Sequence, residues 1–451
     1  MSTNFTTQEE VSVTPLSFKL RKANLTSNSG HVIENFGDML HDIKIHEALH
    51  RGSIVVELFV EDSINLFSEV KLAGNEKIIL DIGRTEPLEG EVGFEMELYI
   101  SDVGQTSQTK PSVRTYVITC VSKHVYINSK KCLNKSFTGD AKSLITSITK
   151  SELGAKLDVQ KNCNTNGLMQ GIYPNLKPVE AISWLLRNAN DNGTPVYFYE
   201  TAKKGLVLDS YASMLLRKSL PFNTYNRFPN LEQTLYRNKE QFAFEEERAK
   251  IRNVRSSLNL SKLTPANTGV FGSNARSIDI SNKKIKDETE IKYSYDKIDK
   301  SVMLNDFPPA IAEMKVGDTP LFEINNSKKY YYSSNDLAFG SGTTTTPTYH
   351  SSNEFPNALK CNVIRENLNT VVLNVDLAGD FNLMPGAIVN LEFIKQAEIS
   401  EELEEGREFN DLWFSGNYLV TKITHHFGKD GYIMYTTLHK DSFKTKQLDE
   451  F

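Results

Sequence analysis

The sequence predicts a β-rich α+β protein: two antiparallel β-barrel domains with an α/β module and a mixed insertion between them. Three observations carry this. Phe and Tyr number 24 and 18 beside many Val, Ile and Thr, a composition that favours strands. Apolar residues alternate with polar ones near both ends of the chain, while helical spacing is confined to a middle region. At 451 residues the chain also exceeds one ordinary core, so several domains are expected.

The first domain is placed at 12–130. Leu16, Phe18 and Leu20 alternate, as do Ile43 and Ile45, and an apolar run follows from Ile54 to Val60. LAGNEKIILDI (72–82) reads as a strand entered through Gly74, and Phe94, Met96, Leu98 and Ile100 as a half-buried strand. VGQTSQTKPSVR (103–114) is expected to be a loop, and YVITCVSKHVYI (116–127) the closing strand. About six strands suffice for a small barrel or sandwich.

The α/β module is placed at 131–222. Leu144, Ile145 and Ile148 have helical spacing behind Asp140, a capping residue. Pro178 suits a helix start, Val179, Ile182, Leu185 and Leu186 form its buried stripe, and Gly193 is expected to end it. PVYFYE and LVLDS then pair across a Lys-Lys-Gly turn. The second barrel region is expected to start within 223–258, be interrupted by a mixed insertion at 259–356, and resume at 357–445. SIDISNKKIKDETEIKYSY reads as two strands about a polar turn. Low complexity makes 333–352 a mobile loop, and the six glutamates between 398 and 408 mark a solvated segment.

Two pieces recur in order. YVITCVSKHV (116–125) matches YLVTKITHHF (418–427), setting Thr119 on Thr421 and His124 on His426. GNEKIILDI (74–82) resembles GAIVNLEF (386–393). The bland explanation is that amphipathic strands share a period of two; the sharper one is a duplicated barrel, with both histidines at its surface or an interface.

Composition narrows the function classes. A net charge of −6 without a basic stripe argues against nucleic-acid binding as the main task. The start lacks the charged and apolar regions of a secretory signal, and no apolar run is long enough for a membrane helix, so no membrane insertion is expected. Cys120, Cys132, Cys163 and Cys361 are isolated, which disfavours zinc clusters and a disulfide framework. His46-Glu47-Ala48-Leu49-His50 matches the H-E-x-x-H zinc pattern literally, with Glu61 as a conceivable third ligand. That chemistry needs both imidazoles on one helical face, whereas Ile43 and Ile45 alternate as a strand and Arg51-Gly52 follow at once. No nucleophile elbow or phosphate loop is present. Trp184 reads as core rather than a sugar platform, and Trp413 as either. No catalytic, cofactor-binding or metal-ligating residue is assigned, no cofactor is expected, and the chain is read as a non-enzyme.

In this order of regions the chain resembles the baseplate hub proteins of contractile-tailed phages. GDFNLMPGAIVNLEF with NYLVTKITHHF looks like the second tube-like domain of that family, and LAGNEKIILDI like part of the first. KPVEAISWLLRNA with GTPVYFYETAKKGLVLDS is similar to its inter-barrel module, and TGVFGSNARSIDISNKKIK to the insertion. The likeness runs from about 15 to 445; the Thr-rich insertion and the acidic segment 396–410 fit it less well. The resemblance implies two tube-like barrels per subunit and a homotrimer. It also implies partners: the central spike protein, the first tail-tube ring and baseplate wedge components. DNA would pass through the channel without specific binding. The location implied is the virion's tail baseplate, after assembly in the host cytoplasm. Two other functions stay open: a virion adhesin or carbohydrate-binding module using 333–352, and a zinc hydrolase using His46, Glu47 and His50.

Overall fold

A computed structural model describes residues 16–66, 70, 72–85, 92–110, 113–165, 167–217, 224–226, 248–258, 354–393, 411 and 413–445, with short segments between 267 and 340. The first seven strands are β1 (Lys19–Thr26), β2 (Val32–Ile33), β3 (Leu40–Ala48), β4 (Val55–Asp62), β5 (Lys77–Gly83), β6 (Phe94–Lys110) and β7 (Val113–Ser122). Helix α1 (Lys123–Lys130) leads to β8 (Ser136–Asp140), α2 (Ala141–Ser151), β9 (Leu157–Val159) and β10 (Leu168–Ile172). Next come α3 (Pro178–Asn188), β11 (Asn190–Asp191), β12 (Thr194–Thr201), β13 (Gly205–Ser210) and α4 (Tyr211–Leu215). Strands β14 (Thr224–Asn226) and β15 (Ile251–Leu258) precede seven short ones: β16 (Gly272–Asp279), β17 (Lys284–Ile285), β18 (Lys292–Ser294), β19 (Lys315–Val316), β20 (Thr319–Pro320), β21 (Lys328–Ser333) and β22 (Ala338–Gly340). Helix α5 (Glu354–Asn367) is followed by β23 (Val371–Ala378), β24 (Ile388–Glu392), β25 (Gly416–Gly428) and β26 (Gly431–Lys440).

Thirteen strands join in one sheet, in the order β15-β23-β26-β25-β3-β4-β7-β6-β5-β1-β2, with β24 on β25 and β14 on β24. Within it one pattern occurs twice. The antiparallel order β3-β4-β7-β6-β5 has the same connectivity as β15-β23-β26-β25-β24, with β6–β7 and β25–β26 as corresponding hairpins. The two five-stranded units meet where β25 pairs with β3, and one apolar core runs through both, including Leu58, Ile118, Leu373 and Ile423. Alternation explains the strands: β4 and β26 bury every second residue. Gly431 has φ +94 at the end of the tight β25–β26 turn, a conformation that suits glycine.

Several local expectations need correction. Residues 103–110 and 113–114 are not a loop but the paired ends of β6 and β7, with 111–112 outside the described residues. The strand expected over 116–127 stops at Ser122, where α1 starts. Helix α3 ends at Asn188; Gly193, with φ +86, lies in the β11–β12 turn instead. The β pattern expected from Leu359 begins only at Val371, because Leu359, Val363, Ile364 and Asn367 recur at helical spacing and are buried along α5. Of the loop expected at 333–352, Ala338–Gly340 forms β22, paired with β10; 341–352 and the acidic segment 396–410 lie outside the described residues.

The module has a separate core around Phe137, Ile145, Ile182, Leu185 and Leu208. Asp140 caps α2, its carboxylate accepting from the Ser143 amide at 3.1 Å. Trp184 packs edge-on to Phe137 at 5.8 Å, and Trp413 lies 4.8 Å from Phe443; both rings belong to cores. A third cluster, including Leu49, Tyr199, Tyr211, Ile364, Ile388 and Leu419, joins the module to both units.

Lys440 is fully buried, donating to the carbonyls of Trp413 (2.9 Å) and Ser415 (2.8 Å). Burial pushes its ammonium down to about 7. An unfolded lysine titrates near 10.4, so between these values the folded chain binds fewer protons and stability rises with pH. The wild type is therefore expected to gain on the order of 4 kcal/mol relative to Lys440→Met from about pH 7 to about pH 10. Paired urea melts across that range check it; parallel curves for the two proteins would show the ammonium to be fully accommodated.

Candidate assembly seam and its open edges

The seam between the units is a six-residue antiparallel register from Lys422↔Ala48 to Phe427↔Ile43. Backbone pairing is reinforced by side chains. His46 Nδ1 and Thr424 Oγ1 share a hydrogen bond at 3.0 Å, and His426 Nε2 lies 3.2 Å from the Asp42 carboxylate. On the buried side His425 Nε2 stands 3.7 Å from Glu47 Oε1, while its Nδ1 is 2.8 Å from the Tyr432 hydroxyl. Burial lowers the His46 pKa, with Glu57 at 3.5 Å opposing the shift.

Two buried carboxylates fasten the module to this sheet. Glu200 of β12 accepts from the Ile54 amide and the Ser122 hydroxyl, both at 2.7 Å, with His124 Nδ1 3.8 Å away. Glu47 of β3 reciprocates, accepting from the Ala202 amide at 2.6 Å. Burial raises the pKa of Glu200 despite His124 and the two donors. These contacts were not legible in the sequence, because their partners lie far apart along the chain.

The residues of the H-E-x-x-H pattern are not on a helix. His46, Glu47 and Ala48 end β3, and Leu49-His50 form the following turn, so alternation sends His46 and Glu47 to opposite faces. Glu61 pairs with His41 across β3–β4 rather than with this group. His50 lines a separate cleft of about 480 Å³ with Arg51, Arg187 and Arg365. Among the described residues no group of three or more His, Cys, Asp or Glu is placed to hold a metal, and no helix is long and apolar enough to cross a membrane.

The sequence repeat also shifts. GNEKIILDI and GAIVNLEF fall on β5 and β24, which occupy corresponding places in the two units. YVITCVSKHV and YLVTKITHHF do not: β7 is the second strand of its hairpin and β25 the first. Accordingly His426 is on a strand, while His124 is buried on α1 with its Nε2 2.9 Å from the Gly52 carbonyl, not at a surface.

No family model matches the sequence, and no curated protein does. Solved structures do match. The 43 kDa tail protein of prophage MuSo2 from Shewanella oneidensis has a TM-score of 0.50 at 10% identity, over 93% of this chain and 97% of that one. A tail protein from Neisseria meningitidis MC58 has a TM-score of 0.51 at 9% identity, over 94% and 97%. The fold is shared with phage tail proteins. The shared length covers both units and the module, so the likeness extends to the whole arrangement rather than to one sheet.

The open edges complete the site. On β25, the edge away from β26 is filled by β24 over Gly416–Leu419 and by β3 over Lys422–Phe427. On β6, the corresponding edge is filled by β5 over Phe94–Tyr99, and beyond Ile100 no described strand pairs with it. At the far end of the sheet β15 pairs only with β23 among the described strands. Six of its eight residues are exposed, whereas β3, its counterpart, has none exposed.

Proposed function

We propose that this chain is a non-enzymatic subunit of a phage tail baseplate hub. In this reading each five-stranded unit forms the wall of one tube-like barrel. Three chains close into a ring of six such units, pseudo-sixfold about a threefold axis. The observation that carries the proposal is the same strand order occurring twice in one chain whose fold is shared with phage tail proteins.

Duplication has a physical use in such a place. A threefold spike and a sixfold tube cannot both be matched by identical single-unit subunits, but three duplicated ones present both symmetries. The spike protein, the first tube ring and the wedge components are the proposed partners, and the virion's tail baseplate the proposed location. A net charge of −6 suits a channel that passes DNA without holding its phosphates.

Native mass spectrometry tests the reading. A closed assembly of three 50.9 kDa chains is expected, with six similar densities around its axis in electron-microscopy class averages. A stable monomer, or a dimer with twofold symmetry, overturns it.

A further inference from the structure

The chain contains one seam already made, and the parts of a second. Each unit offers two edges: the distal half of its long hairpin strand, and the outer edge of its first strand. In the made seam, the hairpin strand of the second unit (β25) pairs with the first strand of the first unit (β3). Among the described strands, what remains is the hairpin strand of the first unit, beyond Ile100 of β6, and the first strand of the second unit, β15. These are the same two kinds of edge, and both are left over once.

We propose that β6 of one chain pairs antiparallel with β15 of the next, repeating between chains the seam that β25 and β3 make within one. The inference rests on the ring reading and supplies the contact that closes it. The occupant is a second copy of this chain, because its partner edge is already present at the other end of the same sheet. Such a contact is head-to-tail rather than self-complementary, so successive copies close into a ring or continue as a filament.

Burial supports the assignment. Paired on both edges, β3 has no exposed residue, while β15 exposes Arg255, Ser256, Ser257 and Leu258 at its end. On β6, Asp102, Thr106 and Ser107 are exposed, and Val103 is half-buried. Unpaired edges of this length template association, and natural proteins cover or blunt them. Neither described edge segment contains a proline.

The existing seam also supplies a register. The pairing of β6 with β7 shifts register at Gly104/Ser107 and Gln108/Lys110. Followed through the paired strands with these shifts taken in, Ser107 (facing Thr115) corresponds to His426 (facing Ile433), and Gly104 (facing Val117) to Thr424 (facing Tyr435). Leu258 corresponds to His46, since each faces the first residue of the next strand, Val371 and Val55. Thr424 pairs with His46 and His426 with Lys44, so Gly104 is set opposite Leu258 and Ser107 opposite Ser256. Directly opposed residues have Cα atoms about 4.5–5.5 Å apart, within the range a disulfide spans.

The test is disulfide capture of the full-length chain. Ser107→Cys and Ser256→Cys are introduced together in a Cys132→Ser background, which removes the exposed native thiol. Mild oxidation is expected to give a non-reducing ladder ending at covalent trimer, and each single variant is expected to stay uncrosslinked. Hydrogen exchange on the unmodified protein should slow at 102–107 and 251–258 when the assembly forms, whether or not the cysteines oxidise. A native trimer with neither capture nor protection overturns the strand pairing but leaves the ring reading standing. Monomers or twofold dimers overturn the ring reading. Capture by Ser256→Cys alone means a self-complementary contact and overturns the head-to-tail seam.

Discussion

Replacing Glu200 with alanine is expected to destabilise the chain by about 3–5 kcal/mol and to loosen the α/β module from the sheet. The carboxylate is 6% exposed and holds two donors of the first unit, the Ile54 amide and the Ser122 hydroxyl. Alanine abandons both donors in a water-excluded place, and an unmade buried hydrogen bond costs more than a made one contributes. Glu200→Gln keeps one acceptor oxygen and should cost far less, about 1 kcal/mol.

The pH dependence separates charge from shape. Burial raises the pKa of Glu200, so the folded chain holds this proton to higher pH than the unfolded chain does. Stability from this group is full below about pH 4.3, the unfolded value, and falls as pH rises through the folded value. The advantage of wild type over Glu200→Gln should therefore shrink as pH rises over that window. Calorimetry of the three proteins, with proteolysis of the module as a second readout, checks this. An alanine variant within 1 kcal/mol of wild type would mean that the module is held by the apolar cluster around Leu49, Tyr199 and Tyr211 alone.

What the sequence could disclose followed from burial. Residues Ile78, Leu80 and Ile82 on β5, and Phe94, Met96 and Leu98 on β6, alternate because one face meets a core in the same chain. The Asp140 cap and the Pro178 helix start are local chemistry and were equally legible. The distal hairpin was not. VGQTSQTKPSVR has hardly any apolar alternation, and a polar ribbon with Thr106, Ser107 and Arg114 exposed resembles a loop in sequence. That same polarity is what a strand shows when its partner belongs to another molecule. The misaligned repeat has a related cause: β7 and β25 both carry a buried Tyr and alternating aliphatics, so side-chain pattern alone could not tell their places in the hairpins. The seam contacts of Glu47, His425 and Glu200 were invisible because no period or motif links residues so far apart.

Tyr432→Ala is expected to cost about 3–5 kcal/mol, the largest effect of any single truncation at the seam. The side chain is fully buried, stacked on Phe427 at 4.3 Å and tilted against Phe381 at 4.7 Å. Its hydroxyl meets His425 Nδ1 on the strand that pairs with β3, so losing the ring should loosen that strand as well as open a cavity. Tyr432→Phe isolates the polar part and should cost about 1–2 kcal/mol, since a buried imidazole nitrogen loses its partner. The ring also explains why residue 379 is glycine: a Cβ there would lie 2.0 Å from Tyr432 Cδ1. Gly379→Ala alone should therefore be destabilising by about 1–3 kcal/mol through overpacking. In the Tyr432→Ala background the obstruction is gone, and the added methyl fills part of the cavity. A double-mutant cycle by urea denaturation is expected to show the pair less destabilised than the sum of its members by at least about 1 kcal/mol. Strict additivity would mean that the hairpin shifts away from Gly379 in the single variant, and that this part of the core accommodates a methyl without the tyrosine yielding.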